Sequence, residues 1–420
     1  MSELNVFWDS MLVGRLSETP AGLTFTYEAI DRPMISVAMP PRRRPYPDHT
    51  ARPFFHGLLP EGEARRIIAH DLGFRTDGGT DFEMLAALGA DCAGALVITE
   101  NNRPPSDDDL NESAHVDEVT IALKLRELPY EPLGITGDVR VSLTGMQPKL
   151  PLTRLPNGSW VLPSAQRPST HILKPPSPAL PDSVPNEVFC MKMAAALGVD
   201  AAPTKMLTFD GIPALISTRY DRHTGPDGSI SRLHQEDGCQ ALSILVTAPT
   251  AKYQREGRGP SLVALASLLE KWGPARSRYE LVDHLFVTVA VGNADFHAKN
   301  VSFLYDRDSV SLAPMYDVMS TVDLTVYSGQ KVSSTLAMSI GNATDVEEVG
   351  IKDLIDEAKS WGLRPKRVEQ RVGQLLDALP EAVDQAATAV PELPEERLDV
   401  IHHRSKRLRS EGLALGVNAR

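Results

Sequence analysis

Strand-like stretches fill the first half of this chain and helix-period patterns fill most of the second, and that change of period near residue 238 restricts the fold more than any other feature. Residues 3–40 alternate in short runs (LNVFWD, MLVGRLS, LTFTYE, ISVAM) separated by Gly, Pro and acidic turns, which predicts a small antiparallel sheet. PPRRRPYPD breaks the pattern, residues 52–92 take helical spacing, and GALVITE returns to strand. RPPSDDDLNES has no periodicity and reads as a linker or long surface loop. A second β-rich section covers residues 138–221, broken by one helix, NEVFCMKMAAALG, whose Phe189, Met193, Ala196 and Leu197 share a face.

Beyond residue 238 helical runs dominate (SLVALASLLEKWG, RYELVDHLFVTVAVG, PKRVEQRVGQLLDAL), with VSFLYDRDSVSLAPMYDV as a hairpin exception. The expected architecture is α+β and two-lobed: an extra N-terminal module at 1–105, a linker or lobe start at 106–137, a β-rich lobe at 138–237, and an otherwise all-helical C-terminal lobe at 238–420. A chain of 420 residues can build such cores without staples.

Apolar and charged contents of 42% and 23% are those of a globular chain, and a formal charge of −12 disfavours one whose main task is gripping phosphate backbones directly. Cys92, Cys190 and Cys239 match neither a disulfide framework nor a zinc spacing. The start MSELNVFWDS lacks a basic region followed by an apolar run, and no long uncharged apolar stretch follows, so a soluble, cytoplasmic protein with no membrane partner is expected.

The chemistry concentrates in GNADFHAKN, residues 292–300, set between two apolar runs. Asp295 and Asn300 stand five apart, the interval of the protein-kinase catalytic loop, and Asp317 follows a hairpin in PMYDV. Phosphoryl transfer needs this set: one carboxylate to orient and deprotonate a hydroxyl, with a carboxamide and a second carboxylate to hold magnesium on the phosphates. Upstream, Lys174 ends the strand-like THILK and is suited to neutralising phosphates, with Glu187 as a partner. VSLTGMQPK offers a turn around Gly145, and ISTRYD would join the lobes where an adenine edge is read. The plainer readings are loop capping for Asp295 and Asn300, a hairpin-end cap for Asp317, a solvated strand-end Lys174, and a His297 that satisfies loop carbonyls.

With THILK, PNEVFC, STRYDR, HQEDGCQ, KYQREGRGP and, near the N-terminus, VGRL, FFHGLLPEG and DFEMLAALGADCAGAL, the chain resembles the HipA-like serine/threonine kinases, toxins of bacterial toxin–antitoxin modules. The resemblance implies a two-lobed protein-kinase-like fold that uses ATP and magnesium. It implies Asp295 as catalytic base, Asn300 and Asp317 as magnesium ligands, and Lys174 as a phosphate contact. Thr144, Gly145, Met146, Gln147, Pro148 and Lys149 would line the ATP phosphates; Thr218, Arg219 and Tyr220 would meet adenine; His297, Lys299 and Tyr316 would lie beside the nucleotide. Ser142 would be autophosphorylated, and its phosphate would compete with those of ATP. The implied partners are an aminoacyl-tRNA synthetase substrate, such as glutamyl-tRNA synthetase, and a small helix-turn-helix antitoxin through which DNA is reached. The chain departs from the family at Pro148, where an acidic residue is common, and at Phe296, where glycine often occurs. Two readings compete: an idle kinase fold acting as co-repressor, and a metal-dependent phosphohydrolase built on Asp295, His297 and Asp317.

Overall fold

In the computed structural model three of the early alternating stretches and GALVITE pair into one antiparallel sheet, ordered Gly22–Tyr27, Met11–Thr19, Ser2–Trp8, Leu96–Thr99, whereas ISVAM, expected as a strand, forms turns. The structure describes residues 2–75, 79–104, 115–128, 147–164, 166–306, 309–326 and 329–417. It divides into a first unit of Met1–Pro175, Leu207–Ala251 and Leu304–Asp308, and a second of Pro176–Met206, Lys252–Phe303 and Ser309–Arg420.

In the first unit, alternate residues of the sheet (Leu4 and Val6; Leu23, Phe25 and Tyr27) turn into a core closed by Phe54 and Phe55 of helix Asp48–Gly57 and by Leu85 of helix Asp81–Leu88. Glycine at position 14, in VGRL, is a packing requirement, because a Cβ there would stand 2.6 Å from the Phe25 ring. Thr80 and Glu83 form a capping box that starts the Asp81–Leu88 helix.

Five strands of a second sheet belong wholly to this unit, in the order His115–Val116, Trp160–Val161, Leu150–Arg154, His171–Lys174, Ile212–Thr218. Helix Glu118–Glu127 covers them with Ile121 and Leu125, against Leu150, Leu152 and Leu173.

Residues 90–95 are joined to the end of this sheet by a buried ion network. Asp91 accepts from the Ser169 backbone N–H at 2.9 Å and hydroxyl at 2.8 Å, and from the Arg222 guanidinium at 2.9 Å. Arg219 binds Asp221 in bidentate fashion at 2.9 and 2.8 Å and donates to the Cys92 carbonyl at 3.1 Å. Burial opposes ionisation of both acids, yet the arginines hold Asp91 and Asp221 below the usual carboxylate range.

Glu236 behaves in the opposite sense. It accepts from the Val37 N–H at 3.0 Å and from the Tyr305 hydroxyl, but complete burial pushes its carboxyl up to about 7. The folded state therefore keeps a proton that the unfolded chain releases near pH 4.5, so the stabilisation is full below that pH and is lost as pH rises to about 7. At about 1.4 kcal/mol per unit, the loss is roughly 3 kcal/mol. Glu236→Gln should melt at or near the wild-type temperature at pH 4.5 and clearly above it at pH 8; an equal difference at both pH values would exclude this origin.

The second unit is a helical assembly around Ser277–Val291, whose Leu281, Val282, Leu285, Phe286 and Val287 are buried almost all round. Pro365–Ala389 packs on Ser183–Ala196, Glu395–Ala414, Ile351–Ser360 and Ser277–Val291. The expectation of an all-helical C-terminal lobe is corrected here. Besides the hairpin of Ser302–Asp306 and Ser309–Leu312, Thr335–Ile340 pairs antiparallel with Ala343–Asp345 around Gly341, whose φ of 58° suits a tight turn. TLAMSI alternates over a strand's length, and six residues are too few for a helical period to stand out.

Candidate active site

The Ser277–Val291 helix ends at Gly292, left-handed at φ 71°, where a Cβ would stand 2.3 Å from Val322. Glycine is needed both for the turn and for the approach. Thr321 ties the exit: its hydroxyl accepts from the Ala294 N–H at 2.8 Å and donates to the Gly292 carbonyl at 3.0 Å. Asn293 then accepts from the Asp295 N–H at 2.9 Å, which aims the next side chain outward.

Asp295 is 56% exposed, and the Tyr253 hydroxyl donates to one of its oxygens at 3.0 Å. Loss of water to the surrounding protein holds its carboxyl above the usual range, opposed by the Lys252 cation and the Tyr253 hydrogen bond and aided by the Asp317 carboxylate. Because over half of the side chain is open, solvent screens the effect. One oxygen is held by Tyr253, and the other is available to a hydroxyl.

The Asp295 backbone carbonyl accepts from the His297 N–H at 2.8 Å and the Asn300 side-chain amide at 3.2 Å. That bond commits the Asn300 nitrogen and leaves its carboxamide oxygen as the atom a cation would meet. Asp317 is reached through a chain held at both ends: Met315 exchanges hydrogen bonds with Asp200 and Ala202 at 2.8 Å each, and Asn186 grips the Ser320 backbone through two bonds of 3.0 Å. Between these anchors Asp317 takes φ 59°, a conformation that a short polar side chain tolerates better than most. A carboxamide oxygen and a carboxylate are hard donors that suit Mg²⁺, with phosphate oxygens and water to complete the shell. They fit the ion and leave it open to substrate.

His297 is buried and sits 5.6 Å from the Tyr253 ring; burial pushes its imidazole down to about 3, with the Lys252 charge adding. It is neutral near pH 7. Its Nε2 is 4.0 Å from Asp295, and among the described residues no three His, Cys, Asp or Glu side chains converge on a metal position. The phosphohydrolase reading loses its ligand set. Lys299 is also buried, and its carbonyl accepts from the Tyr316 hydroxyl at 2.6 Å, which further braces the loop.

Of the remaining sequence candidates, Glu187 is buried in the Ser183–Ala196 helix of the second unit, and the others lie in the first unit or outside the described residues. Lys174 is 7% exposed in its strand, opposite Leu215, so it is no solvated strand end. Arg219, expected at adenine, donates its N–H to the Thr170 carbonyl at 2.9 Å, and its guanidinium is spent in the buried network, since a cation beside two buried carboxylates is drawn to them first. The Tyr220 hydroxyl donates to Gln235, and Thr218 pairs with His171 at the strand end. Gln147, Pro148 and Lys149 lead into the Leu150–Arg154 strand. Ser142, Thr144, Gly145 and Met146 lie outside the described residues.

Tyr253 and Lys252 carry no role in the sequence reading, although both stand in KYQREGRGP. The signal was there as a motif without a chemistry. Likewise Asn186, in PNEVFC, serves the loop after Asp317.

The HipA N-terminal domain model matches residues 4–99 and the HipA-like C-terminal domain model matches residues 141–383. The chain is 37% identical over 393 residues to the Sinorhizobium fredii protein named "Putative kinase Y4mE", covering 90% of each. It is 27% identical over 364 residues to the "Serine/threonine-protein kinase toxin HipA" of Shewanella oneidensis, covering 83% of this chain and 80% of that one. A chain of the solved Shewanella oneidensis complex of HipA, HipB and operator DNA superposes with a TM-score of 0.79 at 24% identity, covering 97% of this chain and 96% of that chain. The architecture is shared from end to end. With both domain models matched in order and a relative above one-third identity along nine-tenths of its length, the chain belongs to the HipA family.

Proposed function

We propose that this protein is an ATP- and magnesium-dependent serine/threonine protein kinase and the toxin of a toxin–antitoxin module. The observation that carries the reading is the Asp295 carboxylate, fixed by Asn293 and Tyr253 on a loop that also bears Asn300, with the charge of Asp317 acting on it. Relatives named as kinases support it.

In this mechanism the free oxygen of Asp295 orients a serine or threonine hydroxyl and takes its proton as the phosphoryl group arrives. Asn300 and Asp317 would hold magnesium, which neutralises the phosphates when bound. Lys174 and the 144–149 turn would receive the phosphates of ATP, Thr218 and Tyr220 would meet adenine through their backbones, and His297, Lys299 and Tyr316 would wall the nucleotide. Ser142 is the proposed autophosphorylation site, and glutamyl-tRNA synthetase the proposed substrate.

A small antitoxin is the proposed partner, because the matched Shewanella structure contains HipB and operator DNA. Contact with DNA would pass mainly through that partner, in keeping with the net charge of −12. Among the described residues no helix is long and apolar enough to cross a membrane, and the proposed location is the cytoplasm. The domain limits near 105, 137 and 237 are part of the same reading.

The test is incubation with γ-labelled ATP and magnesium, alone and with cell extract, followed by mass spectrometry of labelled protein. Label on this chain or on an extract protein is expected. Free phosphate without labelled protein, or no transfer at all, would replace the kinase reading by a hydrolase or by a co-repressor.

A further inference from the structure

Lys252 closes the short 3₁₀ turn Pro249–Lys252 and is 6% exposed, yet it forms no ion pair among the described residues. Its ammonium lies 5.5 Å from the centroid of the Tyr253 ring, whose hydroxyl donates to Asp295. It is also the leading cationic influence on both Asp295 and His297.

The segment that carries it is rigid. Gln254 donates its N–H to the Ala337 carbonyl at 2.7 Å and accepts from the Ser339 N–H at 3.0 Å. Arg255 and Arg258 bridge around Glu256 and Gly257, at φ 51° and 71°, a turn that needs left-handed conformations at both central residues. A buried stem, a fixed hairpin and a cation without a carboxylate partner form a poor stabilising device and a good site for a transient anion.

Resting on the kinase reading, we propose that Lys252 is a further catalytic residue: its ammonium, on the 252–258 hairpin whose Tyr253 hydroxyl holds Asp295, takes up negative charge on the phosphoryl group during transfer. The bond from the γ-phosphorus to the bridging oxygen breaks, and ADP leaves with that electron pair. The bond from phosphorus to the serine or threonine oxygen forms, and the hydroxyl proton passes to Asp295. Charge spreads over the three equatorial phosphoryl oxygens, beside the carboxylate that orients the attack. Lys252 stands over the ring of the tyrosine whose hydroxyl holds that carboxylate, 5.5 Å from the ring centroid.

The test compares wild type with Lys252→Met and Lys252→Arg in two readouts: transfer from γ-labelled ATP, and affinity for magnesium-ADP with and without aluminium fluoride, which stands in for the phosphoryl group in flight. Lys252→Met should lose about 10²- to 10³-fold in kcat. It should bind magnesium-ADP within about twofold of wild type, lose most of the tightening that aluminium fluoride brings, and see part of both recovered in Lys252→Arg. Unchanged kcat would overturn the proposal, and so would a fall in kcat with the tightening intact, because Lys252 would then act only through Asp295. Wild type that transfers no label would bring down the kinase reading itself, whereas wild-type transfer with an unaffected Lys252→Met would bring down only this inference. Should Lys252→Met melt below the assay temperature, Lys252→Gln carries the same two readouts.

Discussion

Asp295→Asn protein should transfer phosphate from ATP about 10³-fold more slowly than wild type while melting within a few degrees of it. The substitution preserves shape and removes the ability to take a proton. The Tyr253 hydroxyl, 3.0 Å away, still finds an oxygen acceptor, and the Asn293 and Asn300 bonds run to the Asp295 backbone, so the loop keeps its supports. With 56% of the side chain open to solvent, no buried charge is stranded. Initial rates with labelled ATP and a thermal melt check both halves. A rate within tenfold of wild type would move the base elsewhere.

Arg219→Met should lower the unfolding free energy by about 3 kcal/mol, the lower end of the range for removing one partner of a buried ion pair. The guanidinium holds Asp221 through two bonds, the Ser169 hydroxyl at 2.7 Å and the Cys92 carbonyl, all out of water. The lower end applies because Asp221 keeps Arg222 at 2.9 Å and the Gly94 N–H at 2.8 Å after the substitution. Denaturant titration gives the loss, and a double-mutant cycle with Asp221→Asn isolates the pair. The pH dependence has a defined sign. Asp91 and Asp221 are held below their ordinary range, so their contribution is present above about pH 4 and is lost as pH falls through the folded values. Arg219→Met should flatten that acid loss, and a variant as stable as wild type at pH 7 would show the network to be neutral.

Arg219 also shows where local reading stops. From STRYDR alone it is a residue of a connecting segment whose guanidinium has no assigned partner. In the fold, the 90–95 loop arrives from more than a hundred residues away with Asp91, and the cost of leaving that carboxylate unpaired directs the guanidinium inward. Tyr253 and Lys252 reach the site in the same way. Nothing near Asp295 in the chain announces a phenol at 3.0 Å, because hydrogen bonding to a side chain 42 positions upstream depends on where two loops cross. The extra strand pair at Thr335–Asp345 was hidden by its shortness among long helical runs.

The amino-acid order alone determined the β-rich first half, the predominance of helices in the second, and the pairing of Asp295 with Asn300 across one tight loop. These rest on periodicity and on steric rules that act within a few residues of chain. That the Tyr253 hydroxyl meets Asp295, and that the Arg219 guanidinium is withdrawn into the interior, were decided by the tertiary structure. Such roles follow from desolvation and from charge brought close in space, and neither quantity exists until distant segments pack together.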